Sequence, residues 1–168
     1  ETRPDVAKME DIRRMLEWGS TRVEMGVQSV YDDVLATLNR QHTVQTTIDA
    51  TQRLKDSCLK VGYHMMSKLP GSNLKRDLAA HNEIFTNPAF RPDMVKWYPL
   101  AVVQNTALYH QWKKGEYQEI TEEEAVEFEV RVPFSSMAKR VAPVEEEKRR
   151  KFPSKARFPS HWIRPPDS

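Results

Sequence analysis

The sequence predicts an α/β fold: a partial (β/α) barrel followed by an extended, basic, proline-rich C-terminal tail. Three observations carry this. Residues Thr21–Ser29 alternate, with Val23, Met25 and Val27 on one side and Arg22, Glu24, Gly26 and Gln28 on the other. Such alternation marks a strand whose two faces see different environments. A helical pattern follows at once, and the order helix, strand, helix, strand, helix, strand runs through residues 1–103, as parallel βαβ units require. From Pro133 the periodicity fails, interrupted by Pro143, Pro153, Pro159, Pro165 and Pro166. The expected division is a half-barrel over 1–132 and a basic tail over 133–168.

Each element has its own signal. Asp5 is a candidate N-cap for a helix from about Ala7 to Trp18, with Met9, Ile12, Met15 and Leu16 at helical spacing and Gly19 as the stop. After the first strand, Tyr31–Asn39 reads as a helix through Val34, Leu35 and Leu38. Thr43 caps a second helix, Val44–Ser57, with Ile48, Ala50 and Leu54 inward. Leu59–Met66 is a further strand, running into the turn-rich Ser67-Lys-Leu-Pro-Gly71. Ser72 or Asn73 caps a helix to about Phe85, and Met94–Val103 is the third strand. Ala107–Trp112 and Glu122–Val130 read as short helices. Three strands cannot close a barrel, so partners or further segments must complete it.

Composition excludes several classes. The 168 residues are 39% hydrophobic and 30% charged, with no apolar run of the roughly 18 residues a membrane-spanning helix needs. Cys58 is the one cysteine, so neither a disulfide framework nor a cysteine-based metal site can be built from this chain alone. Glu1 in first position points to a processed product or an excised part of something longer. Charge is uneven: residues 139–168 hold nine basic and four acidic side chains, hence +5, leaving −3 on the other 138. That asymmetry suits a basic arm meeting nucleic acid or another polyanion.

The polar face of the first strand is the candidate site. Gln28 and Ser29 come at its C-terminal end, where α/β barrels and open α/β sheets place their ligands. An inward Arg22 and Glu24 are costly to bury unless paired or bound. They read as ligand contacts or as a structural ion pair. His64 reads as a hydrogen-bonded core histidine or as a site residue. Met65, Met66, Trp97 and Trp112 read as packing.

Several phrases occur together in order: Glu1-Thr-Arg-Pro-Asp5, Thr21–Ser29, Asn39-Arg40 with His42-Thr43, His64-Met65-Met66 with Leu69-Pro70-Gly71, Asn87–Asp93, and Tyr98-Pro99. Over residues 1 to about 118 this resembles the radical S-adenosylmethionine (SAM) domain of the Elongator catalytic subunit. The resemblance implies a partial barrel of the radical SAM type, which holds SAM and a 4Fe–4S cluster and modifies wobble uridines of transfer RNA through an attached acetyltransferase domain. It implies Glu1 and Arg3 at the mouth beside SAM, and Arg22, Glu24 and Gln28 lining the interior. It further implies His64 and the Leu69-Pro70-Gly71 loop on the adenine and substrate side, and Lys96 inward from the last strand. The chain departs from the family at Val6-Ala7, Gln41, Ser67 and Asn105-Thr106-Ala107. The family's cluster cysteines lie upstream of the first phrase, so the cluster is not supportable by this chain alone, and no catalytic residue or metal ligand is assignable.

Two functions follow. One is part of a radical SAM enzyme acting on transfer RNA. The alternative is a non-catalytic RNA-binding or assembly protein that keeps the half-barrel as a platform. There the tail is the anchor, with Lys148, Arg149, Arg150 and Lys151 neutralising phosphates and Trp162 stacking on a base. The resemblance implies a cytoplasmic or nuclear location, or an organellar one for a divergent relative.

Overall fold

The computed structural model describes residues 1–137. Strands β1 (Arg22–Gln28), β2 (Lys60–Ser67) and β3 (Met94–Pro99) form one parallel sheet in the order β1-β2-β3. Helices α1 (Met9–Glu17), α2 (Asp32–Thr37), α3 (Val44–Asp56) and α4 (Leu74–Thr86) occupy the intervals expected of βαβ units, and α5 (Ala107–Lys113) and α6 (Glu122–Met137) follow. Thr2 adds one parallel bridge to the other edge of β1, donating to the Glu24 carbonyl and accepting from the Gly26 amide, each at 2.9 Å.

Alternation in the strands decides which face is dry. Val23, Met25, Val27, Val61, Tyr63 and Met65 join Ile12, Ala50, Leu54, Ile84 and Phe90 in one buried cluster. The odd-numbered face of β1 and β2 is thus the core, covered by α1, α3 and α4. A fully buried aliphatic side chain contributes about 1.5–3 kcal/mol there. Tyr63 lies wholly inside this layer and meets its polar obligation by hydrogen bonding to the Thr51 hydroxyl of α3. The opposite face carries Glu24, His64 and Lys96, and Gly62 pairs with both Glu24 and Met94 in the register.

Local chemistry explains most element boundaries. Thr43 forms a capping box with Thr46 at the start of α3, and Asn73, not Ser72, caps α4 by accepting from the Arg76 amide at 3.0 Å. Asp5 is no N-cap. It lies in a 3-10 turn (Pro4–Val6) bonded to the Arg3 guanidinium, and α1 begins at Met9 without a side-chain cap. Of the four apolar positions expected on α1, Ile12 is the one fully buried, while Met9 and Leu16 are exposed. The third strand stops at Pro99 instead of Val103, because its partner β2 ends at Ser67, where Lys68 turns the chain with a left-handed φ of 58°. α6 runs past Pro133 to Met137. No helix among the described residues is long and apolar enough to cross a membrane.

Candidate functional site: a carboxylate between a histidine and a lysine

Glu24 sits in the middle of β1 on the face opposite the core, yet only 9% exposed. Its cross-strand neighbour is Gly62. A Cβ at that glycine would meet Met94 Cγ at 3.0 Å and Glu24 Cγ at 3.2 Å, so the bare backbone lets both side chains lie over it. The next inward residue of β2, His64, pairs with Lys96 of β3. Three strands thereby deliver three chemically different groups to one point.

The geometry is close. Lys96 Nζ donates to Glu24 Oε2 at 2.5 Å, and His64 Nε2 lies 2.7 Å from the same oxygen. Facing an ionised carboxylate, that nitrogen carries the proton. Arg22 Nε stands 3.4 Å from Glu24 Oε1, and the edge of Tyr98 meets the His64 ring with centroids 5.9 Å apart. Hydrogen bonds from Lys96 and then His64 hold the Glu24 carboxyl down to about 2, and the same pairing raises Lys96. Glu24 is therefore an anion throughout the neutral range, with its partners shared between structure and the open side of the sheet. Lys96 remains 40% exposed and Arg22 56% exposed at their side chains.

The expected residues do not all meet. Arg22, Glu24, His64 and Lys96 converge. Glu1 stands at the edge, its carboxylate 3.9 Å from His64 Nε2 and largely exposed. Glu1, Glu24 and His64 place three potential metal-ligand atoms within 4.8 Å of one another, and the Glu24 carboxylate also accepts from the Lys96 ammonium. Gln28 ends β1 with a left-handed φ of 69° and turns its amide toward the His64 carbonyl at 3.5 Å, over Gly26. Arg3 is turned away into its ion pair with Asp5. Lys148, Arg149, Arg150, Lys151 and Trp162 lie outside the described residues.

Two polar residues join this end of β1 that the sequence pattern did not single out as site residues. Arg40 donates to the Gly26 carbonyl at 2.8 Å, and buried His42 contacts the Val27 carbonyl at 3.2 Å. Arg40 Nε and His42 Nδ1 are buried without a hydrogen-bond partner among the described residues. Their signal was the polar Asn39-Arg40-Gln41-His42 run between two helices. Burial pushes both of their titrations down. Cys58 is exposed at the turn between α3 and β2, beside the first residues of β2 and far along the strand from His64.

Comparison with known proteins gives these residues a context. Residues 1–81 match the Radical SAM superfamily, and residues 92–142 match the Radical_SAM C-terminal domain. The chain is 54% identical over 127 residues to the tRNA uridine(34) acetyltransferase of Methanocaldococcus infernus, covering 76% of this chain and 24% of that protein. It is 46% identical over 132 residues to Elongator complex protein 3 of Homo sapiens, covering 79% and 24% respectively. The solved archaeal Methanocaldococcus infernus Elp3 with an N-terminal deletion matches with a TM-score of 0.74 at 51% identity, over 77% of this chain and 30% of that one. The chain spans about a quarter of the length of the curated relatives it matches. On this fold and these matches, the chain belongs to the radical SAM family, in the branch of the Elongator catalytic subunits.

Proposed function

We propose that this chain forms a SAM- and substrate-facing wall of a protein that modifies wobble uridines of transfer RNA. The observation that carries the reading is the Glu24 carboxylate, shielded and held ionised between His64 and Lys96 on the face of a parallel sheet opposite the core. SAM presents an ammonium, a carboxylate and ribose hydroxyls, which call for fixed groups of both signs rather than apolar walls. Arg22, Glu24, Gln28, His64 and Lys96 supply that donor and acceptor set, with Glu1 at the mouth. Arg3 enters this reading less directly, through its ion pair with Asp5 next to Arg40. When bound beside a reduced iron–sulfur cluster, SAM supplies radical chemistry.

The residues of this chain do not fit the cluster itself. A 4Fe–4S centre is held by several thiolates. Cys58 is the one thiol in the sequence, and it lies at the wrong end of β2. The part these residues take is to bind and to orient.

Isothermal titration of SAM into the full-length protein tests the reading. Glu24→Gln keeps the shape and removes the charge, and losing a charge-assisted hydrogen bond of about 1.5–3 kcal/mol weakens binding at least about tenfold. Lys96→Met acts in the same direction. Equal affinities for unsubstituted and both variant proteins would remove these residues from the SAM site. The second reading, an RNA-binding or assembly protein anchored by its tail, is favoured by the +5 charge gathered in residues 139–168.

A further inference from the structure

The loop that leaves β2 is fastened at a single residue. Lys68 adopts a left-handed backbone conformation, φ 58°, and each of its polar groups is engaged by a different element. Its N–H donates to Asp77 Oδ2 of α4 at 2.8 Å. Its carbonyl accepts from the Tyr117 hydroxyl, in the α5–α6 connection, at 2.9 Å. Its ammonium donates to Glu124 Oε1 of α6 at 2.6 Å. The Lys68 and Glu124 side chains are 20% and 29% exposed, so this pair is shielded, unlike open surface pairs that contribute little.

The far end of the loop is fastened as well. Arg76 donates to the Gly71 carbonyl at 2.7 Å, and the Ser72 hydroxyl donates to Asp77 Oδ1 at 2.6 Å. Between these anchors Leu69-Pro70-Gly71 forms one wall of a cavity of about 430 Å³, faced by Gln111, Tyr117 and Gln118. The cavity shares no lining residue with the Glu24, His64 and Lys96 cluster. It lies at the C-terminal end of β2, the end at which parallel α/β folds receive ligands.

We propose that Lys68 is a positioning residue that clasps the segment 117–124 to the rim of the sheet and so sets the Leu69-Pro70-Gly71 loop on the RNA side of the site. This rests on the functional reading above. With its ammonium committed to Glu124, Lys68 contributes no charge to SAM, and its effect is on loop shape. Opening the clasp loosens RNA recognition and leaves SAM binding as it was.

The test uses full-length Glu124→Gln and Tyr117→Phe proteins, which remove single contacts and leave Lys68 and the core in place. Hydrogen-exchange mass spectrometry should show amides of residues 67–72 exchanging about tenfold faster in each variant. The KM for transfer RNA should rise several-fold, with kcat and SAM affinity within about twofold of the unsubstituted protein. The pair Lys68→Glu with Glu124→Lys should restore protection that Lys68→Glu alone loses. Unchanged exchange in both single variants overturns the clasp. Faster exchange with unchanged KM for RNA, or with SAM affinity falling in step, overturns the RNA-side assignment. If the unsubstituted protein neither binds SAM nor turns over RNA, the functional reading fails, while the exchange rates still decide the clasp.

Discussion

Glu24 is a residue whose chemistry its surroundings change strongly, with its carboxyl held at about 2 against an ordinary value of 4.5. A carboxyl with a depressed folded-state value stabilises the fold above its unfolded value and loses that contribution as pH falls through the folded one. Glu24 should therefore make the protein acid-sensitive between about pH 4.5 and pH 2. Thermal denaturation of Glu24→Gln should show a Tm below the unsubstituted protein at about pH 6, with the gap narrowing toward about pH 2. A gap independent of pH would mean that the side chain acts by packing alone. Gly62 offers a steric counterpart. A methyl there would press on Met94 and Glu24 at 3.0–3.2 Å, so Gly62→Ala should cost about 1–3 kcal/mol in urea denaturation and displace the carboxylate. Wild-type stability in that variant would show that both side chains can step aside freely.

Among the elements, α4 does more than cover the sheet. Asp77, 4% exposed in its first turn, accepts from the Lys68 amide and the Ser72 hydroxyl, and burial pushes its carboxyl upward despite those bonds. Asp77→Ala leaves two donors short of an acceptor and should cost about 2–3 kcal/mol, with proteolysis appearing first in the 67–72 loop. Cleavage elsewhere at equal rates would place the loss in the core instead. The elements themselves were largely legible in the sequence, because local signals decide them: the alternation of Val23, Met25 and Val27, the Thr43 cap, the turn at Pro70-Gly71. What was not legible depends on strand register. Glu24 and Lys96 are 72 residues apart, and only the pairing of Glu24 with Gly62 and of His64 with Lys96 brings them together. Arg3, expected at the mouth, pairs in this structure with Asp5, two residues away, a local contact that strand periodicity does not report. Periodicity likewise overstated α1, whose Met9 and Leu16 stay exposed.

For the whole molecule, the proposed function asks how an acidic body and a basic tail would divide the binding of RNA. Residues 139–168 carry +5 and the rest −3, so in the tail-anchored reading electrostatic attraction to phosphates comes from the tail. Each neutralised phosphate releases condensed counterions, and the logarithm of affinity then falls by roughly 0.7–0.9 per logarithmic unit of salt. Replacing Lys148, Arg149, Arg150 and Lys151 by alanine should accordingly flatten the salt slope by about 3. Trp162→Ala should leave the slope alone and weaken binding by about 1–3 kcal/mol, the signature of a base stacked on an aromatic ring. Because the described part of α6 extends to Met137, the informative truncation is the one after that residue, which removes the charge and keeps every described turn of the helix. Fluorescence anisotropy with labelled transfer RNA across a salt series separates the cases. Equal affinity and equal slope with and without residues 138–168 would take the tail out of recognition. Binding would then rest on the body, where the cations Lys68 and Lys96 are already paired with Glu124 and Glu24.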